Sequence, residues 1–411
     1  MKDRLLERFL RYVSIDTQSD PSSSSNPSTP NQTLLANMLA DELLQMGLTD
    51  AHVDEHGYVM ATLPANTTKK TPVAGFIAHL DTSPDMTAQH LRPVIHKHYD
   101  GNDLVLHAEK NIVMRVADFP VLEKYKGHTL ITSDGTTLLG ADNKAGVAEI
   151  MTAVEYLINN PDFRHGAVKI AFTPDEEIGR GADHFNIKRF AADFAFTVDG
   201  GEAGELQYEN FNAAHARITI KGRSIHPGEA KDKMINASLL AMEYNRMLPE
   251  NERPEHTSGY EGFFHLISIS GNVEEAVMEY IVRDHDMTRF NNRKSKLRHH
   301  ALLLNERYGS GRFLVEIKDQ YYNMYSRIHP VIGIVEMARQ AMEALDITPL
   351  IRPVRGGTDG ARLSYMGLPC PNLFAGGHNY HGRYEFIPLE SMEKATRVIL
   401  KIIELTGKSK L

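Results

Sequence analysis

The segment Val168–Glu177 most constrains what this chain can fold into. Apolar residues alternate with small or polar ones from Val168 to Phe172, which is the two-residue period of a β-strand. The strand runs into Pro174 and three consecutive carboxylates, Asp175-Glu176-Glu177. Adjacent carboxylates repel each other, so a cation would explain the cluster, although a solvated acidic turn is the simpler interpretation of this string alone. Neighbouring side chains on an extended segment point to opposite sides, which predicts one glutamate as a metal ligand and the other as a proton acceptor.

Length and charge limit the classes of protein to which the chain can belong. Its 411 residues exceed the size at which one hydrophobic core keeps growing, so we expect two domains. The formal net charge of −8, without a block rich in Lys and Arg, argues against a nucleic-acid partner. The opening residues carry charges throughout, unlike a signal peptide, and no apolar run in the sequence reaches membrane-spanning length. We therefore expect a cytoplasmic protein with no membrane partner.

The cysteine content also favours a cytoplasmic protein. Cys370 is the one cysteine of the sequence, which excludes an internal disulfide and fits a reducing compartment. A lone cysteine could serve as a nucleophile. The apolar, proline-flanked string Gly367-Leu-Pro-Cys-Pro371 instead indicates a buried residue that fills space.

Strand and helix patterns alternate through the first half of the chain. The nearly continuous apolar run Val73–His79 is typical of a strand buried on both faces. Helical spacing of apolar residues predicts a helix over about 143–157, and Asp134-Gly135 between two short apolar runs predicts a hairpin. This alternation favours an α/β fold with a mixed, largely parallel sheet covered by helices.

The pattern changes near Phe211 and changes back after Tyr321-Tyr322. The intervening strands alternate cleanly between apolar and polar residues, which predicts a smaller α+β domain with one exposed sheet face. We interpret this segment as an insertion into one α/β domain. The predicted boundaries are a catalytic domain over 1–211 and 322–411, and an inserted domain over 212–321.

A histidine and an aspartate lie at the carboxyl end of the apolar run Val73–His79. His79 is its last residue, and Asp81 follows two residues later, so the two side chains share a face. A carboxylate beside an imidazole fixes its tautomer and strengthens it as a metal ligand. A lone His-X-Asp string is common and by itself indicates little. Open α/β sheets bind ligands at the carboxyl ends of their strands, however, so this position favours a metal-binding role for His79 and Asp81.

Three more candidates lie at comparable positions. Asp142 precedes the predicted helix, where an N-cap aspartate is the simpler interpretation. Asp199 directly follows an apolar strand, and His381 lies in the glycine-rich loop Gly376–Gly382, although loop histidines are commonly solvated. Taken together with Glu177 and His79, they supply more protein ligands than the three of an ordinary catalytic zinc site. The set suits two ions roughly 3.5–4 Å apart that share one carboxylate.

The motifs resemble those of a known family. His79-Leu-Asp81, Gly140-Ala-Asp142, Asp175-Glu-Glu177, Asp199 and His381 occur in the order found in the dizinc exopeptidases and deacylases, which include acetylornithine deacetylase and succinyl-diaminopimelate desuccinylase. The likeness covers nearly the whole chain. Longer strings resemble the members that release the N-terminal residue of tripeptides: Ala171-Phe-Thr-Pro-Asp-Glu-Glu, Glu209-Asn-Phe-Asn-Ala, Tyr260-Glu-Gly-Phe, Ile351-Arg-Pro-Val-Arg-Gly-Gly-Thr-Asp-Gly360 and Cys370-Pro-Asn-Leu-Phe.

The resemblance implies a role for each metal-site residue. His79 and Asp199 would hold one zinc ion, Glu177 and His381 the other, and Asp142 would bridge the two. The chain would then carry two zinc ions. Its expected activity is a tripeptide aminopeptidase acting on small peptides.

Residues around the ligands also receive roles by resemblance. Asp81 would orient His79, and Glu176 would be the general base toward a water activated by the two zinc ions. The inserted domain would serve as a lid and as the contact of a homodimer, with His226 steadying the oxyanion from the partner chain. Asp175, His378 and Asn379 receive no role beyond a turn for Asp175.

Two arginines and two alternative functions stay open. Arg283 and Arg355 are candidates for gripping a substrate carboxylate, with a structural ion pair about equally plausible for each. A related deacylase acting on N-acyl amino acids would share the metal chemistry, and pocket contacts alone would distinguish it. A non-catalytic peptide-binding relative is the third possibility, but it would have no need of Glu176.

Overall fold

The computed structural model describes residues 1–409, and the chain forms two compact units. The first comprises Met1–Tyr208, Ser326–Arg352 and the chain from Thr358 onward. The second comprises Glu209–Tyr325 and the short return Pro353–Gly357, a segment that the boundaries predicted from the sequence do not include. Among the described residues, no helix combines the length and the apolar character needed to cross a membrane.

Strands and helices follow one another along the chain. The strands are β1 (His52–Val53), β2 (Val59–Leu63), β3 (Ala74–His79), β4 (Val94–His96), β5 (Leu104–His107), β6 (Ile112–Met114), β7 (Leu130–Thr132), β8 (Val168–Thr173), β9 (Phe194–Gly200), β10 (Glu205–Gln207), β11 (Asn212–Lys221), β12 (Phe263–Gly271), β13 (Glu275–Asp284), β14 (Phe313–Tyr321), β15 (Leu350–Ile351), β16 (Asn372–Phe374) and β17 (Phe386–Pro388). The α-helices are α1 (Lys2–Val13), α2 (Pro30–Gln45), α3 (Ala141–Asn159), α4 (Ile187–Phe190), α5 (Ala237–Arg246), α6 (Met287–Tyr308), α7 (Tyr325–Ile328), α8 (Gly333–Glu343), α9 (Asp359–Met366) and α10 (Leu389–Lys408).

A mixed sheet organises the first unit. Within residues 1–409 its strand order is β1-β2-β8-β3-β9-β16-β10-β15. The central strand β3 pairs in parallel with β8 and β9, and β9 pairs in parallel with β16, whereas β2 and β10 add antiparallel neighbours toward the edges. Every residue of β3 is buried, as its apolar run predicts. The predicted α/β fold with a largely parallel sheet is confirmed.

Helix α3 packs unusually close to the sheet. A Cβ atom added at Gly146 would lie 2.1 Å from the carbonyl oxygen of Val198, so a glycine is required where the helix crosses β9. Helices α1 and α10 pack on α3 in turn. The close crossing brings the first turn of α3 beside the carboxyl end of β9, which is where Asp142 and Asp199 lie.

The predicted hairpin around Asp134-Gly135 is wrong. Strand β7 pairs with β4 and β17, and the residues after the turn form no strand. The side chain of Asp134 accepts a hydrogen bond from the backbone N–H of Thr136 at 2.8 Å, which closes a tight turn locally. The turn signal in the sequence was therefore genuine, but it leads the chain toward α3 instead of into a second strand.

The second unit is an antiparallel sheet with helices on one face. Its strand order is β12-β13-β11-β14, and β13 and β11 pair in register over their whole length. The side chains of β13 alternate between buried and half-buried positions, as the sequence pattern predicts. Helices α5 and α6 cover the apolar face and contribute Tyr244, Phe290 and Leu297 to its core. The other face carries charged side chains such as Arg217 and Glu279.

Candidate metal centre

The predicted metal ligands all belong to the first unit, and four of the five come from segments beside the same sheet edge, whereas His381 lies in the loop Gly376–Gly382. His79 is the last residue of β3, and Asp199 is the penultimate residue of β9. Glu177 lies in the turn that follows β8, and Asp142 lies in the first turn of α3. The fold thus delivers ligands at carboxyl strand ends, where open α/β sheets place their sites.

The carboxylate of Asp142 lies at the middle of the cluster. Its Oδ1 lies 2.9 Å from Nε2 of His79, and its Oδ2 lies 3.3 Å from Nε2 of His381. Asp199 Oδ1 approaches Nε2 of His79 at 3.3 Å, and Glu177 Oε2 approaches Nε2 of His381 at 3.0 Å. The site therefore has two halves, one formed by His79 and Asp199 and the other by His381 and Glu177. Asp142 lies between the halves and contacts the histidine of each.

Asp142 does not act as a helix cap, the simpler role that its sequence position suggested. The N-cap position of α3 is Gly140, and the backbone of Asp142 is non-helical, with φ −83° and ψ 105°. Its side chain turns toward the two histidines instead. A position just before a helix is common to capping and ligating aspartates, so the sequence alone does not distinguish them.

Each histidine has an outer partner on its other ring nitrogen. Nδ1 of His79 lies 2.9 Å from the carbonyl oxygen of Asp81 and 3.3 Å from its carboxylate. Nδ1 of His381 lies 3.2 Å from the carboxylate of Asp85, which the sequence analysis did not single out. Such partners fix the tautomer that leaves Nε2 free to bind a metal ion.

Asp81 also holds the acidic turn. Its Oδ1 accepts the backbone N–H of Glu176 at 3.0 Å, and its Oδ2 accepts that of Glu177 at 3.1 Å. The carboxylate is completely buried, so these bonds to a charged acceptor are strong. Asp81 therefore braces the imidazole of His79 and the turn that carries both glutamates.

Asp175, for which the sequence predicted no more than a turn, anchors the same turn from the other side. Its buried carboxylate accepts hydrogen bonds from the N–H of Ser28 at 2.7 Å, the hydroxyl of Ser28 at 2.5 Å and the side-chain amide of Gln32 at 2.7 Å. Its backbone adopts φ +57°, in the left-handed region. These contacts tie the serine-rich loop before α2 to the acidic turn.

Burial and neighbouring charges shift the pKa values of the titratable groups in the cluster. Burial raises the pKa of Glu177 to about 7 and that of Asp199 to about 6. Hydrogen bonds with Asp142 and Glu177 raise the pKa of His381 to about 11. Burial opposes charge on His79, but Asp199 and Asp142 raise its pKa well above the usual value. The surrounding carboxylates thus favour positive charge at both histidines, which a metal cation would supply.

The donor set suits a divalent metal ion. Imidazole nitrogens and carboxylate oxygens are ordinary zinc ligands, and one atom each from His79, Asp142 and Glu177 all lie within 4.8 Å of one another. Oε1 of Glu177 is buried and has no hydrogen-bond partner among the described residues. A buried carboxylate oxygen without a partner is costly unless a cation satisfies it.

Two further buried acids at this sheet edge escaped the sequence analysis. Asp359 accepts a hydrogen bond from the hydroxyl of Thr173 at 2.8 Å, and burial raises its pKa to about 7. Glu385 accepts backbone N–H groups from the segment that leads into Asp142. Neither follows a predicted strand, so nothing in the local pattern marks them.

Two of the remaining candidates belong to different units. His226 lies on an exposed turn of the second unit, where its ring accepts the N–H of Gly228 at 3.2 Å. Its role as an oxyanion donor, like the predicted homodimer, stays a prediction. Cys370 is fully buried in the hydrophobic core of the first unit, and burial raises the pKa of its thiol. It is therefore the space-filling residue that its apolar neighbours indicated.

The two candidate arginines have partners within the second unit. The guanidinium of Arg355 donates hydrogen bonds to the carbonyl oxygens of Gly259 at 2.8 Å and Glu261 at 3.0 Å, and to the hydroxyl of Thr257 at 2.9 Å. Arg283 donates to the carbonyl oxygen of Val282 at 3.1 Å. These contacts do not test the substrate role, so substrate binding by Arg283 and Arg355 stays a prediction.

Comparison with known proteins assigns the chain to a family. The profile of peptidase family M20/M25/M40 matches residues 130–405, which include every candidate ligand except His79. The chain belongs to this peptidase family, as its motifs predicted. Peptidase T of Geobacillus sp. (strain WCH70) is 58% identical over 405 residues, covering 98% of this chain and 99% of that protein. The chain is therefore similar to peptidase T over nearly its full length.

Solved structures show the same fold. Aminopeptidase PepT from Bacillus cereus ATCC 10987 superposes with a TM-score of 0.77 at 22% identity, covering 100% of this chain and 99% of that one. A tripeptidase from Staphylococcus aureus gives 0.78 at 20% identity with the same coverage. The Bacillus subtilis YXEP protein, a dinuclear metal-binding peptidase of the M20 family, gives 0.64 at 13% identity and also covers 100% and 99%.

Proposed function

We propose that this peptidase is an aminopeptidase that releases the N-terminal residue of tripeptides at a site holding two zinc ions. One observation carries the proposal: the two oxygens of Asp142 face two different histidines, at 2.9 and 3.3 Å. A carboxylate so placed can serve both halves of a two-ion site, each of which also has its own acid.

The residues that would hold the ions follow from the two halves. His79 and Asp199 would bind one ion, and Glu177 and His381 the other, with Asp142 shared. Bound zinc ions would act as Lewis acids that lower the pKa of a water molecule and polarise the scissile carbonyl. Loss of protons from the two histidines would accompany binding, so zinc affinity should fall as the pH decreases.

Glu176 is the proposed general base. It neighbours a ligand in sequence, and Asp81 holds its backbone N–H at 3.0 Å, so its carboxylate is presented from a fixed turn. Burial raises the pKa of Glu176 well above that of an ordinary glutamate. A carboxylate with a raised pKa accepts a proton from an attacking water more readily near neutral pH, and can return it to the leaving amine.

The substrate class is proposed from the relatives. The chain is 58% identical to a peptidase T, and its fold is that of an aminopeptidase PepT and of a tripeptidase. The metal chemistry alone would equally serve hydrolysis of an N-acyl amino acid, because only contacts away from the reacting bond differ. Selectivity among substrates therefore tests the proposal better than activity on any one of them.

We expect the zinc-loaded protein to hydrolyse a tripeptide much faster than a dipeptide, a tetrapeptide or an N-acetyl amino acid of matched sequence. Trialanine, dialanine, tetra-alanine and N-acetylalanine make such a set, and Ala-Gly-Gly is added because chromatography of its products shows which bond is cut. Fast hydrolysis of trialanine, with release of alanine and Gly-Gly from Ala-Gly-Gly, supports the proposal. Preference for N-acetylalanine would favour a deacylase, and binding of trialanine without hydrolysis would favour a non-catalytic relative.

A further inference from the structure

The loop that carries His381 ends in a buried acid with an unusual set of partners. Glu385 has 1% of its surface exposed. Its Oε2 accepts the backbone N–H groups of Leu139 at 3.0 Å and Gly140 at 2.8 Å, and its Oε1 accepts that of Asp142 at 3.0 Å. One carboxylate thus satisfies three N–H groups in the four residues that end at Asp142.

Neither a helix nor a strand supplies hydrogen-bond acceptors for these three N–H groups. They lie at the irregular start of α3, where the first N–H groups of a helix lack an intrahelical acceptor. Gly140 adopts φ +76°, and Asp142 is non-helical, so the segment is bent away from helical geometry. Backbone N–H groups can only donate, and both oxygens of the Glu385 side chain accept from them, so Glu385 would hold this bent segment firmly.

The loop that presents Glu385 is itself fixed at several points. The N–H of His378 donates to the carbonyl oxygen of Phe386 at 2.9 Å, and the ring of His378 lies 2.6 Å from the hydroxyl of Tyr125. The side-chain amide of Asn379 donates to the carbonyl oxygen of Tyr384 at 3.0 Å. The hydroxyl of Tyr380 donates to the carbonyl oxygen of Gly200 at 3.2 Å. His378 and Asn379, for which the sequence gave no role, therefore stiffen the loop.

We infer that Glu385 is a positioning residue that sets the orientation of Asp142 between His79 and His381, and thereby the metal affinity of the site. The inference rests on the proposed function, because it concerns the shared ligand of the proposed two-ion centre. One loop would then supply His381 to the site directly and fix Asp142 through Glu385. A shift of a few tenths of an ångström in Asp142 would alter its distance to both histidines at once.

The variant Glu385→Gln separates this role from simple filling of space. Glutamine has the same shape but one acceptor oxygen, so either the N–H of Asp142 or those of Leu139 and Gly140 would face the amide NH2 group. Glu390→Gln is the matched control. Glu390 also accepts a backbone N–H, that of Thr129 at 2.9 Å, but it lies in the first turn of α10 and contacts Lys2 instead of the candidate ligands.

Zinc affinity would be measured by competition with a chromophoric chelator, and the visible spectrum of the cobalt-loaded protein would report ligand geometry. Glu385→Gln should weaken zinc binding by roughly 10- to 100-fold, as loss of an outer partner of a metal ligand does. It should also change the cobalt spectrum, whereas Glu390→Gln should change neither. Glu385→Asp keeps both acceptor oxygens on a shorter side chain, so it should recover part of the affinity. It should also disturb folding less than the amide variant, because no backbone N–H group would face an NH2 group.

The outcomes distinguish this inference from the proposed function. Zinc affinity and a cobalt spectrum unchanged in Glu385→Gln would overturn the positioning role, and so would equal weakening in Glu385→Gln and Glu390→Gln. If Glu385→Gln does not fold, Glu385→Asp decides: weaker zinc binding with a changed cobalt spectrum supports the inference, and wild-type values overturn it. A wild-type protein that binds no zinc would overturn the proposed function and this inference together.

Discussion

Replacement of Glu176 by alanine should lower kcat by about 100- to 10,000-fold while the zinc content stays near that of the wild type, about two ions per chain. The size of the loss is that of general-base catalysis, because Glu176 is proposed to move a proton and not to bind an ion. The backbone N–H of Glu176 donates to Asp81, and alanine keeps this bond, so the turn that carries Glu177 should stay in place. Metal analysis and steady-state kinetics with trialanine would measure the two quantities on the same preparation.

Glu55→Ala is a suitable control for this variant. The side chain of Glu55 is 82% exposed and lies in the same unit, so its removal should affect neither zinc content nor turnover. Near-normal turnover of Glu176→Ala would remove Glu176 from the role of base. Loss of zinc in the same variant would instead make Glu176 part of the metal-binding set.

Replacement of Asp142 by alanine should have the larger effect, because it removes the one carboxylate that faces both histidines. We expect zinc content to fall from about two ions per chain to nearly none, with affinity reduced by more than about 100-fold and hydrolysis lost with it. The remaining acids, Asp199 and Glu177, would each be left with a single histidine partner. Metal analysis after dialysis against a weak chelator would measure the loss.

Asp142→Asn sharpens this test. The amide keeps one oxygen and the size of the side chain, so it can face one histidine as an acceptor but not both. At most one tightly held zinc ion per chain is expected. Full zinc occupancy in Asp142→Ala would contradict the shared position of Asp142, whatever the effect on activity.

The sequence predicted the parts of the site that follow strands. His79 and Asp199 end apolar runs, and the two glutamates follow a third run, so strand periodicity alone places them near one edge of a parallel sheet. His381 has no such signal: its glycine-rich loop made it a weaker candidate on its own, and the resemblance then gave it the role of a ligand. Its loop reaches the site through backbone pairing of Ala375 and Gly376 with Gly200 and Gly201, which no local pattern records.

The residues that the sequence missed have a physical feature in common. Asp175 and Glu385 are buried carboxylates that accept backbone N–H groups, and these partners lie far along the chain. Glu385 and Gly140, for example, are separated by 245 residues. An isolated acid in a sequence is most simply solvated, and only the fold shows that a distant backbone needs its oxygens.

The failed hairpin shows the same limit for secondary structure. Asp134-Gly135 makes the expected tight turn, but strand pairing depends on which segment lies alongside, and β4 and β17 occupy both sides of β7. The alternating strands of the second unit were predicted well because their pattern reflects one buried and one exposed face. The local sequence therefore predicted where the chain turns and which face of a strand is buried. Which strands pair with each other became known only from the structure.

A zinc titration tests the proposed two-ion hydrolase most directly. Wild-type protein freed of metal by a chelator would be titrated with zinc while trialanine hydrolysis is followed. Two shared-ligand ions predict negligible hydrolysis without zinc and full activity only as about two equivalents per chain are bound. Full activity of the metal-free protein, or a plateau at one equivalent, would contradict it.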